Sequence, residues 1–220
     1  MKVAVLFSGG KDSVYASYLA KQEHEISCLI SLESKSDESW MFHVPNIELV
    51  KLQAELMGVP ILYRKTEGVK EEELEDLKNA IIEAKEKYGI EGIFSGALAS
   101  SYQKDRIEKI CEDLGIKSVS PLWHIDSEEY INSLIRDKFK VIIVGIAADG
   151  FNESWLGRVI DAKFLEDIKK LNIHIGGEGG EYESLVVDCP LFKNGLRIIE
   201  SKNLLENECT GKLIIQKAEI

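Results

Sequence analysis

The stretch Ser8-Gly9-Gly10-Lys11-Asp12-Ser13 concentrates groups suited to holding an anion. Lys2–Phe7 before it is a short β-type run. From Asp12 to about Gln22, Val14/Tyr18 and Tyr15/Leu19 recur at i,i+4 spacing, as in an amphipathic helix. A strand, a tight glycine turn and a helix start expose successive backbone N–H groups to an incoming phosphate. The helix dipole adds positive potential, the glycines permit close approach, and Ser8 and Lys11 add a hydroxyl and a cation. An ordinary strand-to-helix turn would use the Gly-Gly pair and a cap such as Asp12 or Ser13, but has no need of Ser8 and Lys11. The spacing matches neither a Walker A loop nor a dinucleotide-binding G-x-G-x-x-G fingerprint. A second unusual stretch, GGEGGEYES at 176–184, interleaves four glycines with Glu178, Glu181, Tyr182 and Glu183. From the residues alone it is either a solvated loop entering a strand or an oxygen-rich site for a hard cation.

These residues need elements to position them. After the opening unit, Ile26–Leu32 reads as a strand and 33–40 as a polar loop. Asn46–Met57 reads as a helix capped by Asn46 and ended by Gly58, and Val59–Tyr63 as a third strand. Val69–Tyr88 is a charged helix with Leu74, Leu77, Ile81, Ala84 and Tyr88 on one face. A fourth strand near Gly92–Ser95, a helix over Ser101–Leu114 and a short strand at Lys117–Val119 complete the alternation. Five strands with helical crossovers predict an α/β fold, a five-stranded parallel doubly wound sheet. Ligands bind such sheets at the strand C-termini, so Ser8–Asp12, Ser31–Glu33 and Ser95–Ala97 should face one crevice.

The pattern changes near Pro121. Residues 127–138 read as a helix, 139–148 as an apolar strand and Asp161–Leu171 as another helix. Residues 181–200 read as two strands joined across Asn194-Gly195 in a hairpin, and 211–220 as a last strand. The expected organisation is a domain over 1–120 and a smaller α+β domain over 121–220.

With 220 residues, 45% hydrophobic and 30% charged, the chain can bury a full core in one or two domains. A net charge of −11 argues against direct nucleic-acid binding, though a local basic patch stays open. The N-terminal apolar run is shorter than a signal-peptide core and no stretch approaches a membrane span, so no membrane association is expected. Cys28, Cys111, Cys189 and Cys209 lie far apart without C-x-x-C, which reads as reduced thiols in a cytoplasmic protein and gives no zinc site.

SGGKDS resembles the loop with which N-type ATP pyrophosphatases grip the β,γ-pyrophosphate of ATP. Three further stretches sharpen the resemblance: WMFHVPN (40–46), SGALASSYQKDRIEKICEDLGIKSVSPLW (95–123) and GEGGEYESLVVDCPLF (177–192). Together, in order and over nearly the whole chain, they resemble the diphthine–ammonia ligase (diphthamide synthetase) family, in its short archaeal form. Ser184 stands where threonine is more usual.

The resemblance implies an adenine nucleotide alpha hydrolase-like sheet in the order 3-2-1-4-5. It also implies ATP-dependent amidation of diphthine on translation elongation factor 2. ATP and Mg²⁺ would be the cofactors, with ammonium as nitrogen source and an acyl-adenylate as intermediate. Ser8, Gly9, Gly10, Lys11, Asp12, Ser13, Ser95 and Gly96 would then bind nucleotide. Lys11, Arg106 and Glu181 would serve catalysis. His43, Tyr102, Gln103, Trp123, Glu178, Gly179, Gly180, Tyr182 and Glu183 would face the substrate. Diphthine carries a trimethylammonium group, for which Glu178, Glu181 and Tyr182, with Trp123 and Trp40 as further walls, offer charge beside aromatic faces. The glutamates could instead hold Mg²⁺ or take a proton from ammonium. Two other classes stay open: a different ATP pyrophosphatase, such as a tRNA-modifying one, and a nucleotide sensor without chemistry. No glutaminase is expected within 220 residues, and the sequence neither demands nor excludes a homodimer.

Overall fold

The computed structural model describes residues 1–34, 46–69 and 72–220; Trp40 and His43 lie outside them. Five parallel strands, β1 (Lys2–Leu6), β2 (Glu25–Ser34), β3 (Ile61–Thr66), β4 (Gly92–Phe94) and β5 (Lys117–Val119), form a sheet in the order β3-β2-β1-β4-β5. The helices between them are α1 (Lys11–Glu23), α2 (Val50–Met57), α3 (Glu72–Tyr88) and α4 (Ser101–Leu114). Val3, Ala4 and Val5 of the central strand are fully buried, as expected of a parallel strand covered on both faces. The order reverses between β1 and β4, so the crevice at their C-terminal ends receives both Ser8–Asp12 and the segment after β4. Ser31–Glu33 instead lie inside β2, which pairs with β3 as far as Ser34.

A second sheet is antiparallel. After α5 (Ser127–Arg136), β6 (Lys140–Ala147), α6 (Ala162–Ile168), β7 (Tyr182–Asp188), β8 (Arg197–Leu205) and β9 (Thr210–Glu219) follow, and the strands order as β7-β6-β9-β8. The Asn194-Gly195 hairpin is therefore not formed: β7 and β8 are opposite edges. The chain does reverse there, with Leu196 N donating to Val187 O at 2.7 Å, but β8 then pairs with β9. Val141–Ile146 of β6 are buried throughout, and an apolar strand of this kind takes an interior place with partners on both edges, here β7 and β9. A turn signal specifies a local reversal, not the strand that fills the neighbouring place.

One apolar cluster spans the gap between the sheets. Val3, Val5, Val14 and Tyr15 join Tyr130, Leu134, Val141, Phe164 and Leu185. Ala4, Cys28, Ile30, Leu77, Ile81 and Ile107 form a second cluster on the other face of the parallel sheet, with α3 and α4. Helix α1 packs against β1 and β2 on one side and β7 on the other. Among the described residues no helix is long and apolar enough to cross a membrane.

Asn46 does not cap α2. It sits in left-handed backbone (φ 62°) before a 3₁₀ turn, Ile47–Leu49, that leads into the helix. Its Nδ2 donates to Leu213 O at 2.9 Å and its Oδ1 accepts from Ile215 N at 2.8 Å, both on β9. Asn46→Ala should therefore destabilise the fold by about 1–3 kcal/mol for each buried backbone group left dry. Urea unfolding measures this, and a loss of a few tenths would mean that the bridge to β9 contributes little.

Candidate active site

The sequence places a glycine, not a capping side chain, at the start of α1. Gly10 is the extended N-cap residue (φ −77°), and no side chain caps the helix. Ser13 turns back to fix the loop instead: its Oγ accepts from Ser8 N at 3.1 Å and donates to Gly10 O at 3.2 Å. Gly9 has φ +77°, where a side chain would be strained, and a Cβ there would stand 2.3 Å from Gln53 Oε1. Gly96 lies directly under the helix start, where a Cβ would fall 2.6 Å from the backbone carbon of Asp12. Neighbouring Ser95 is buried, its Oγ 2.9 Å from Ser120 Oγ. The absent side chains thus let the loop close on Gln53 and the segment after β4 pack directly under the helix start.

The edge strand β7 completes the loop. Val186 N donates to Gly9 O at 3.0 Å, and Lys11 N donates to Ser184 Oγ at 3.1 Å. Gln53, fully buried on α2, donates through Nε2 to Gly9 O at 3.0 Å and Val186 O at 2.8 Å. The free edge of the sheet is thereby covered. Gln53 and Tyr130 are absent from the sequence-derived site. Gln53 had one signal, a polar residue at i+3 from Val50 on the apolar face of its helix.

Lys11 is 3% exposed. Its Nζ lies 3.0 Å from Asp12 Oδ2 and 5.2 and 5.9 Å from the ring centroids of Tyr182 and Tyr130. Asp12 Oδ1 accepts from Tyr130 OH at 2.8 Å. Burial pulls the Lys11 ammonium down, but Asp12, Tyr182 and Glu178 together outweigh it and hold the group above its ordinary value. Burial and then Asp12 push the Glu178 carboxyl up, with Lys11 acting against them. Glu183 is pushed up to about 7 by burial, again opposed by Lys11.

The second motif divides. Glu178 Oε2 accepts from Ala99 N at 3.0 Å, tying the motif to the segment after β4. Glu181 turns back on its own loop, accepting from Gly179 N at 2.7 Å and His174 N at 3.1 Å. Gly179 and Gly180 form the exposed tip, with Gly180 at φ +80°. Tyr182 is buried against Phe164 and Phe151, and its OH donates to Ile175 O at 2.8 Å. Glu183 packs over Gly145, where a Cβ would approach its own Cβ to 3.0 Å. The structure therefore gathers Lys11, Asp12, Glu178 and Tyr182, and does not bring Glu181 or Trp123 to them. Trp123 packs on His124 and lies under Lys104 Nζ, 5.0 Å from its centroid. On α4 the Arg106 guanidinium stacks 3.5 Å from the Tyr102 ring centroid, and the Gln103 N–H is capped by Ser100 Oγ at 3.4 Å. Among the described residues no group of three His, Cys, Asp or Glu side chains could hold a metal ion. Both Asp12 oxygens accept a hydrogen bond, from Lys11 Nζ and Tyr130 OH, so Asp12 by itself does not make a site for a protein-held Mg²⁺.

Comparison with known proteins bears on this arrangement. Residues 1–118 match the family model of the diphthamide synthase N-terminal domain, and residues 126–220 that of the C-terminal domain. The diphthine–ammonia ligases of Mus musculus and Homo sapiens are each 34% identical to this chain, covering 94% and 93% of it and 86% and 85% of their own lengths. That of Schizosaccharomyces pombe is also 34% identical over 94% of this chain, which spans 37% of the longer yeast protein. A solved structure described as a predicted subunit of tRNA methyltransferase from Methanocaldococcus jannaschii aligns with 86% of this chain and 98% of its own, at 20% identity and a TM-score of 0.43. With both family models matched in order and one third of residues shared along almost the full length of the mammalian enzymes, the chain belongs to the diphthamide synthase family.

Proposed function

We propose that this protein is a diphthine–ammonia ligase that uses ATP and ammonium to amidate diphthine on elongation factor 2. The observation that carries the reading is the joining of the two motifs: the glycine loop is hydrogen-bonded to β7, the strand that begins in the second motif. A phosphate held by Ser8–Ser13, Ser95 and Gly96 would then sit beside the acidic loop that receives the substrate. In this reading residues 1–120 bind the nucleotide and 121–220 the modified side chain.

A carboxylate is a poor acyl donor. It attacks the α-phosphorus of ATP, the bond to the pyrophosphate breaks, and an acyl-adenylate forms. Backbone N–H groups of the loop and Lys11 meet the charge that grows on the departing pyrophosphate, which enters as the magnesium salt of ATP. Arg106, positioned by Tyr102 beside Gln103, addresses the phosphate or the activated carboxylate from α4. Glu181 shapes the loop that presents negative charge to the trimethylammonium group.

ATP–pyrophosphate exchange with elongation factor 2 tests the proposal. Exchange should require the diphthine-bearing form, and amide should appear with ammonium chloride but not with glutamine alone. Exchange stimulated by tRNA instead would assign another pyrophosphatase, and nucleotide binding without exchange would assign a sensor.

A further inference from the structure

We infer that a small cavity behind the nucleotide loop, walled by Glu178, His174, Ser127 and Tyr130, is the ammonium site, and that Glu178 is the base that converts ammonium to ammonia; this rests on the ligase reading. The cavity has a volume of about 170 Å³, and Ala99 and His124 also line it. A cavity of that size has room for several waters. That is too little for a nucleotide, since pockets for such ligands run from about 300 Å³ upward. An ammonium ion with part of its hydration shell fits.

The lining suits a cation that donates hydrogen bonds. Glu178 contributes a carboxylate, oriented by the Ala99 N–H at 3.0 Å. His174 Nδ1 accepts from Glu178 N at 3.4 Å, so the ring proton sits on Nε2 and points at Ser127 Oγ, 3.1 Å away. One lone pair of that hydroxyl is left to accept from ammonium. Ser127 opens α5, whose positive end is offset by Asp126, which accepts from Glu129 N at 2.9 Å. The cavity also adjoins the place of reaction. Tyr130 forms part of its wall and donates at 2.8 Å to Asp12 in the nucleotide loop. The charged and titratable groups around Glu178 are Asp12 and Lys11 from α1, His174 and Tyr182 from either side of its own loop, and, across the cavity, His124 and, from α5, Tyr130. Burial and Asp12 favour its protonated form, the direction that makes a carboxylate a better base.

The step balances. The Glu178 carboxylate takes one proton from ammonium. The lone pair freed on nitrogen forms the C–N bond at the carbonyl carbon of the acyl-adenylate. The C–O bond to phosphate breaks, its electron pair leaving with AMP. The second proton, shed by nitrogen as the amide forms, goes to water.

The test titrates ammonium chloride against wild-type protein, Glu178→Gln and the cavity-filling Ser127→Leu, at saturating ATP and diphthine-bearing elongation factor 2. Half-saturating ammonium should rise at least about tenfold in both variants, as one charge-assisted contact or the space itself is lost. Hydroxylamine is already neutral at neutral pH and needs no base, so Glu178→Gln should keep far more of its hydroxylamine-dependent than of its ammonium-dependent turnover. Unchanged ammonium dependence in both variants would overturn the inference. So would an equal loss with both nucleophiles in Glu178→Gln, which would make Glu178 a support for the loop. Absence of diphthine-dependent ATP–pyrophosphate exchange in the wild-type protein would instead overturn the ligase reading itself.

Discussion

Replacing Lys11 with alanine is expected to lower turnover by about 10²–10³-fold, the usual effect of removing one donor aimed at developing negative charge. The surroundings argue that the loss will be near the upper end. Lys11 Nζ lies 3.0 Å from Asp12, and Glu178 is close enough to feel its charge. Without the ammonium, two carboxyl groups face an incoming polyphosphate with nothing on that side chain to balance them. The pH profile should move as well. Lys11 pulls the Glu178 and Glu183 carboxyls down. Its removal lets both titrate at higher pH, so any acid limb of the rate that they govern shifts upward. Single-turnover pyrophosphate release at saturating ATP, repeated across pH, measures both effects. Near-normal turnover would reduce Lys11 to a structural partner of Asp12.

Gly96→Ala should be comparably damaging through geometry alone. The new methyl carbon would stand 2.6 Å from the Asp12 carbonyl carbon, 2.8 Å from its oxygen and 2.8 Å from Ser13 N. These are backbone atoms in the first turn of α1, whose N-terminus is held by Gly10 and Ser184. They cannot turn aside as the end of a flexible side chain can. The helix start must lift or β4 must sink, at a cost of about 1–3 kcal/mol of stability by the usual measure of overpacking. Either movement spreads the N–H groups that would hold phosphate. ATP affinity measured by calorimetry should fall by more than tenfold, with a lower unfolding midpoint in the same preparation. Retained affinity would show that the nucleotide does not depend on this close approach.

The parallel sheet was legible because its code is local. Strand and helix periods alternate from Lys2 to Val119, and a glycine-rich turn follows β1. The strand order came from family resemblance, since periodicity carries no information about which strands become neighbours. That same gap misled the reading of Asn194-Gly195, where the turn formed but the pairing went elsewhere. Asn46 illustrates a different loss: its type suits a helix cap, but its two hydrogen bonds run to residues 167 and 169 positions away. In the site, Glu181, Tyr182 and Glu183 are adjacent in sequence but divide among a loop, a core and the cover over Gly145. Strand alternation separates Tyr182 from Glu183, and it was foreseeable once β7 was read as a strand. Tyr130 and Gln53 reach the site only through tertiary packing, across 118 residues to Asp12 and 133 to Val186.

The bonds from Gly9 and Lys11 to β7 also constrain how such a gene can be rearranged. A recombination that carried residues 1–118 into another protein would move the whole parallel sheet but leave behind the strand that fixes its glycine turn. The Gly9 carbonyl would lose Val186, the Lys11 amide would lose Ser184, and one of the two acceptors of the buried Gln53 amide would be gone. The first half is thus not portable by itself. Inheritance must either keep the two halves together or supply a new edge strand in the same place, so insertions are best tolerated in loops remote from that junction.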